Sequence, residues 1–345
     1  MDSTGPLRLA VIGVGRMGSF HVRQLATMPS IDVVAVADAS QPSIDALRDV
    51  IGGAVSFVDA SAAFAQTDVE ACLIATPTPT HPALVRAALA AGLHVLCEKP
   101  LSLDPAESDA LGTLARDAGK VLQVGFWRRF SPPWQRARDA IVDGRIGPPL
   151  MVRLSQWDAD PPPLSFCDPA VSGGLAVDCG VHEFDLAEWL TGCAVERVRA
   201  WSLPPVDGGV SSTGDVDNLV AVLELAGGAL ATVDLSRNCR YGDDVRTEIL
   251  GARGAILVDL LPSGRARIGD AIGIKVLDGS LVDDATAAGV VNQAAAFAAA
   301  ARGANVDAPG AQASARATLI AHAVRHAAET GAVVEIPAPQ EAVRP

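Results

Sequence analysis

From Leu7 to Phe126 the chain repeats one pattern: a short unbroken apolar run, then a longer segment with apolar residues every three or four positions. The runs are LRLAVIG at 7–13, IDVVAVAD at 31–38, VEACLIAT at 69–76, HVLCEK at 94–99 and KVLQVGF at 120–126. A strand needs continuous rather than alternating apolarity when both its faces are covered, as in a parallel sheet. The intervening segments Met17–Met28, Pro82–Ala91 and Pro105–Ala118 carry the helical period. Strand and helix in alternation predict an α/β unit built on a doubly wound parallel sheet, the Rossmann arrangement.

Beyond Gly147 the pattern changes. The runs LMVRLSQW, RVRAWSL, NLVAVLEL, ALATVDLS, VRTEILG and GAILVDL, between 150 and 260, mostly alternate and are joined by GG, GARG and PSG turns. Alternation predicts a sheet with one buried face and one face open to solvent or to another subunit. A last helical segment, 311–330, stops at Gly331.

A chain of 345 residues is long enough for two such domains. Its 27 basic and 40 acidic residues leave a net charge of −13, and no run of Lys and Arg occurs, so nucleic acid and acidic membrane surfaces are excluded as partners. No apolar stretch reaches membrane-span length, since the Ala-rich run at 294–301 is bounded by Gln293 and Arg302. The first residues, MDSTGPLRLAVIGVG, lack the pattern of a secretory signal. Six cysteines without a CxxC pair or regular spacing point to reduced thiols, hence a cytoplasmic protein with no zinc cage.

The first apolar run leads directly into Gly13-Val-Gly15-Arg16-Met17-Gly18, a GxGxxG that opens a helix. In such a loop the first glycine makes the tight turn, the second lets a pyrophosphate approach the backbone, and the third lets helix and strand pack closely. Asp38 ends the second run, 20 residues after Gly18, where a carboxylate accepts from both ribose hydroxyls and repels a 2′-phosphate. This combination indicates NAD rather than NADP, although Arg16 stands near enough in sequence to reach a phosphate. Two more loops leave the carboxyl ends of predicted strands: Thr76-Pro-Thr78-Pro-Thr-His81, and Glu98-Lys99-Pro100. Ligands bind at that edge of an open α/β sheet.

The stretch GGLAVDCGVHEFDLAEWL, 173–190, places Asp178, His182 and Asp185 at helical offsets of four and seven, on one stripe amid apolar residues. Buried charge is costly without a partner or a task. A capped helix start and a three-ligand metal site are the competing explanations, the second opposed by the charge of Lys99. His21, Trp189 and Trp201 read as packing residues, and His322 and His326 as positions on the last helix.

GVGRMG at 13–18, TPTPTH at 76–81, EKP at 98–100 and the GG…D…H..D stretch at 173–185 together resemble the Gfo/Idh/MocA oxidoreductases, and within them the inositol dehydrogenases. The resemblance spans nearly the whole chain. It implies a Rossmann dinucleotide-binding domain over 1–125. Over 126–345 it implies an α/β domain with a large, mostly antiparallel sheet that binds substrate and forms a tetramer or dimer. It makes Lys99, Asp178 and His182 a catalytic trio, with no metal. Asp185 would either hold the substrate or fix the His182 ring. NAD would be held by Gly13, Gly15, Arg16, Met17, Asp38, Thr76, Thr78, His81, Glu98 and Lys99. Trp127, Arg128, Asp158 and Tyr241 would join the trio around a small polyol or sugar. Trp127, where the family often has Met, and the Pro161–Pro163 run depart from the family pattern and bear on which polyol is taken. The activity implied is oxidation of myo-inositol to scyllo-inosose. An aldopyranose or scyllo-inositol is the alternative substrate, and a non-catalytic dinucleotide-binding regulator the remoter alternative.

Overall fold

The computed structural model describes residues 5–159, 161–206, 208–260, 265–270, 272–277 and 284–339. It divides into two compact units, Met1–Trp127 with Gly289–Ala315, and Arg128–Ala288 with Arg316–Pro345. The PSG turn at 262–264 lies outside the described residues.

The first unit is built on six parallel strands, β1 (Leu7–Ile12), β2 (Ile31–Ala37), β3 (Val55–Phe57), β4 (Ala71–Ile74), β5 (His94–Cys97) and β6 (Leu122–Val124). Their order is β3-β2-β1-β4-β5-β6, with each pairing parallel. Five of the six coincide with the continuous apolar runs. The sixth, β3, has no such run because it is a three-residue edge strand with two exposed positions. The strand order reverses between β1 and β4, and the carboxyl ends of these two strands carry the Gly13 and Thr76 loops. A ligand crevice forms at such a switch point.

Leu9 and Val11 of β1, Val36 of β2, Leu73 of β4 and Leu96 of β5 form one apolar cluster. Val22 and Leu25 of the helix Arg16–Leu25 pack into it, and so do Ala294, Phe297 and Ala298 of the helix Ala285–Ala301. The sequence boundary at 125/126 leaves Gly289–Ala315 with the second domain, whereas in the structure this segment packs with the first. A late segment that returns to an early core leaves no local signal, because its apolar face reads the same whichever sheet it covers.

The second unit contains a nine-stranded sheet among the described residues, ordered β14-β13-β12-β11-β7-β10-β9-β8-β15. Its strands are β7 (Pro149–Trp157), β8 (Val195–Ser202), β9 (Asn218–Leu225), β10 (Leu230–Ser236), β11 (Asp244–Gly251), β12 (Ala255–Asp259), β13 (Arg265–Asp270), β14 (Gly273–Val276) and β15 (Val334–Glu335). Seven of the pairings are antiparallel and one, β7 with β10, is parallel. The alternation read from the sequence is a real two-sidedness. Leu219, Ala221, Leu223 and Leu225 of β9 and Ala231, Val233 and Leu235 of β10 are buried, and the residues between them are only partly covered. The helices Pro132–Val142 and Gly180–Thr191 pack on this sheet, with Trp134 and Phe184 fully buried. Trp134 Nε1 donates to Thr247 Oγ1 at 3.1 Å, which satisfies the one polar atom of the buried indole.

The assignment of Gly289–Ala315 to the first core has a stability consequence. Phe297→Ala removes a fully buried ring from the cluster around β1 and β4, and should cost about 3–5 kcal/mol of unfolding free energy. Urea unfolding, read by loss of NAD binding as well as by circular dichroism, checks this; a change below about 1 kcal/mol would contradict the packing.

Candidate active site

In the first unit, Gly13 has φ +83°, and a Cβ there would lie 2.7 Å from Thr76 Cγ2 and 2.8 Å from the Ala75 backbone. At Gly18 the clash would be worse, since a Cβ would sit 1.9 Å from the Gly13 carbonyl oxygen. These two glycines therefore hold the loop against the strand that follows it in the sheet. Gly15 differs: it is exposed, and a Cβ would meet nothing within 4 Å. The helix Arg16–Leu25 begins at Gly15 with no side chain capping its first N–H groups. Open space over an uncapped helix start fits a pyrophosphate. Arg16 is exposed and Met17 half-buried beside it.

Asp38, at the end of β2, accepts from the Val14 N–H through Oδ2 and from the Ser40 N–H through Oδ1, both at 2.7 Å. Each oxygen keeps a lone pair, so the carboxylate is held in place and can still accept from two ribose hydroxyls. The residues present thus fit the cofactor, and NAD is the one indicated by the carboxylate.

The two remaining loops are fastened to each other by His81. Its ring is almost fully buried between the carbonyls of Thr76 and Pro100, each at 2.8 Å. Burial drives its pKa below the usual value against the pull of those two carbonyls. Thr76 and Thr80 share a hydroxyl bond of 2.6 Å, and Thr78 is buried. Glu98 is buried as well. Its Oε1 meets His21 Nε2 at 2.6 Å and its Oε2 accepts from the Lys99 N–H at 3.2 Å. Burial opposes the charge of Glu98, but the bond to His21 and the cationic neighbours outweigh it and keep its pKa below the ordinary carboxyl range. His21, read from sequence as a packing residue, therefore ties the cofactor helix to the loop carrying Lys99. The peptide between Lys99 and Pro100 is cis.

In the second unit the ionisable stripe is resolved into pairs. Asp178 ends a one-turn helix, Leu175–Asp178, and His182, Glu183 and Asp185 lie on the next, Gly180–Thr191. That helix is buried from Gly180 to Ala187, so there is no polar face to which a charge can turn. Asp178 Oδ2 accepts from Arg237 Nη1 at 3.1 Å. Asp185 accepts from Arg129 through two bonds, of 2.8 and 2.6 Å. Glu183, fully buried, is paired with Arg128. For both Asp185 and Glu183 burial raises the pKa and the paired arginine only partly restores it.

Arg128 also donates to Gln156 Oε1 at 2.8 Å; Gln156 Nε2 donates to Asp158 Oδ1 at 3.1 Å, and the Cys179 thiol to Asp158 Oδ2 at 3.2 Å. The structure thus joins Asp158 to Cys179, the neighbour of Asp178, and gives Arg128 a buried task in the same unit. Trp127 is buried at the end of the first unit. Tyr241 belongs to a different cluster. It is 66% exposed, donates to Asp244 Oδ2 at 2.6 Å, and lines a cavity of about 840 Å³ on the polar face of the sheet with Trp157, Asp234 and Arg246. Among the described residues no group of three His, Cys, Asp or Glu side chains could hold a metal ion, and no helix is long and apolar enough to cross a membrane.

Sequence reading missed Arg237, Asp215, Glu183 and the role of His21. A signal for the first did exist. In β10 the odd-numbered residues 231, 233 and 235 face inward, and Arg237 continues that parity one step beyond the strand. A guanidinium at an inward position requires buried anions.

Comparison with known proteins supports the same conclusion from outside the geometry. The description "Oxidoreductase family, NAD-binding Rossmann fold" matches residues 7–126, and the GFO/IDH/MocA C-terminal domain matches residues 134–257. Over 253 residues the chain is 36% identical to the myo-inositol 2-dehydrogenase of Thermotoga maritima, covering 73% of this chain and 75% of that protein. The scyllo-inositol 2-dehydrogenase (NAD(+)) of Bacillus subtilis is 32% identical over 256 residues, 74% of each chain. Among solved structures, a myo-inositol dehydrogenase from Corynebacterium glutamicum superposes with a TM-score of 0.83 at 27% identity, over 96% of this chain and 99% of that one. With its six-stranded parallel sheet, its GxGxxG loop and a matching C-terminal domain, this chain belongs to the GFO/IDH/MocA oxidoreductase family and carries that family's NAD-binding Rossmann domain.

Proposed function

We propose that this protein oxidises a ring secondary hydroxyl of a cyclitol, myo-inositol to the 2-ketone, with transfer of hydride to NAD. The observation that carries the reading is the 36% identity with a myo-inositol 2-dehydrogenase across both units. The fastened carboxylates support it, Asp38 and Glu98 by holding the cofactor loops of the first unit and Asp178 by its bond to Arg237 in the second. NAD⁺, when bound, supplies the hydride acceptor. The chain's own task is the proton. His182 accepts the hydroxyl proton, an exchange suited to an imidazole near neutral pH. Lys99 donates a hydrogen bond to the substrate oxygen and stabilises the negative charge that develops there. Asp178 orients these two groups and balances their charge. Trp127, Arg128 and Asp158 line the polyol's surroundings in this reading, Arg128 through the Gln156–Asp158 chain, whereas Tyr241 lines the separate cavity on the polar face of the sheet.

Scyllo-inositol is the second substrate reading, favoured by the 32% identity with the Bacillus subtilis enzyme. The enzyme works in the cytoplasm, consistent with six free thiols, and as a homo-oligomer, a tetramer or dimer assembled through the polar face of the large sheet. Light scattering distinguishes these from a monomer.

NADH formation from NAD⁺ should be fastest with myo-inositol in a panel that includes scyllo-inositol and common aldopyranoses. Preference for an aldopyranose would overturn the cyclitol assignment, and no turnover with NAD still bound would overturn the enzymatic one. Lys99→Ala and His182→Ala should each lose roughly 10²–10⁴-fold in kcat while NADH affinity is kept. Normal turnover in either variant removes that residue from the mechanism. Asp38→Ala should weaken NAD binding and remove the discrimination against NADP, as titration of both cofactors would reveal. Unchanged preference would place discrimination elsewhere.

A further inference from the structure

Arg237 is the least exposed arginine of the second unit's site, at 1%. It follows β10 at an inward position, and its own N–H donates to the Asp217 carbonyl at 2.9 Å, which anchors the main chain beneath the sheet's helix layer. A guanidinium this deep needs anions on its edge. Two are there: Asp178 Oδ2 at 3.1 Å from Nη1, and Asp215 Oδ2 at 3.5 Å from Nη2.

The two carboxylates are linked by the helix they share. Both oxygens of Asp215 accept from the Leu175 N–H at 3.0 Å, so Asp215 caps the first residue of Leu175–Asp178. Gly174, at φ +77°, makes room for this: a Cβ there would lie 2.6 Å from Asp215 Oδ1. Asp215 thus holds the start of the single turn and Arg237 reaches from Asp215 to its end. The Cys179 thiol adds a contact to Asp178 Oδ2 at 3.8 Å and a shorter one to Asp158.

Exposure separates the roles. The Asp178 side chain retains 21% of its exposure, whereas that of Arg237 retains 1%. A ligand that meets the carboxylate does not meet the arginine under it. We propose that Arg237 is the positioning residue for Asp178: bridged to Asp215, it clamps the turn Leu175–Asp178 at both ends and fixes the direction in which the Asp178 carboxylate presents its second oxygen. The proposal rests on the reading of Asp178 as part of the catalytic trio.

The test compares Arg237→Met, Asp178→Asn and the double variant, with turnover measured on the polyol that the panel identifies. Arg237→Met should lower kcat by about 10²-fold, the cost of a displaced reacting group, with NADH affinity unchanged. In the Asp178→Asn background the same substitution should cost little more, because both changes act through one carboxylate. Arg237→Lys keeps the charge but reaches only one of the two carboxylates, and should fall between Met and the native residue. If the Met variant does not fold, the Lys variant takes its place in the cycle. A crystal structure of the variant should show Asp178 in a different rotamer. Native kcat in a folded variant, or an equal loss in both backgrounds, would overturn the clamp while leaving the trio standing. Native kcat in Asp178→Asn would remove the trio and the clamp with it. Loss in Asp178→Asn with none in Arg237→Met would discard the clamp alone.

Discussion

Burying a carboxylate costs several kcal/mol unless a cation is supplied with good geometry, and this constraint organises the second unit. Between Asp178 and Asp185 the chain places three carboxylates, Glu183 and Asp185 buried in the helix layer and Asp178 half-buried at its edge. Each has its own arginine: Arg237 for Asp178, Arg128 for Glu183 and Arg129 for Asp185. Arginine rather than lysine suits the task, since a planar fork satisfies two acceptors from one rigid group. The pairs do more than neutralise. Arg128 continues through Gln156 to Asp158, and Arg237 through Asp215 to Leu175, so helix and sheet are registered by polar contacts as well as by packing. A half-satisfied network of this kind would be worse than an apolar core.

The first unit solves a different problem with the same economy of charge. Its ligand loops lie at the open edge of a parallel sheet and have no sheet neighbours to hold them. Buried polar side chains do that work. Asp38 bonds the Val14 and Ser40 N–H groups, His81 bridges Thr76 and Pro100, and Glu98 connects His21 with the backbone of Lys99. A carboxylate or imidazole can hold a loop where an apolar side chain cannot, because it answers a specific N–H or carbonyl. The family's nucleotide loop is therefore preorganised before a ligand arrives, which lowers the cost of binding it.

Much of this could be read before any coordinates. The five continuous runs announced five of the six parallel strands, because strands covered on both faces must be apolar throughout. The last helix, 311–330, was bounded correctly by its period and by Gly331. GxGxxG and Asp38 were legible because close backbone approach permits few residue types. Strands β13, β14 and β15 were missed. β14 and β15 are edge strands of four and two residues, β14 exposed along its whole length, and β13 beside the edge alternates but buries only Ala266 and Ile268.

What the sequence determined by itself was everything set by local period and local chemistry: two kinds of sheet, a dinucleotide loop, and ionisable residues where an apolar stripe was expected. What only the tertiary structure decided was partnership. Glu183 with Arg128 spans 55 positions, Arg237 with Asp178 spans 59, and His21 with Glu98 spans 77. The return of Gly289–Ala315 to the first core crosses nearly half the chain. Such pairings leave no periodic trace, because a buried charge dictates that a counter-charge exists but not where along the chain it is found; only the folded backbone brings the two together.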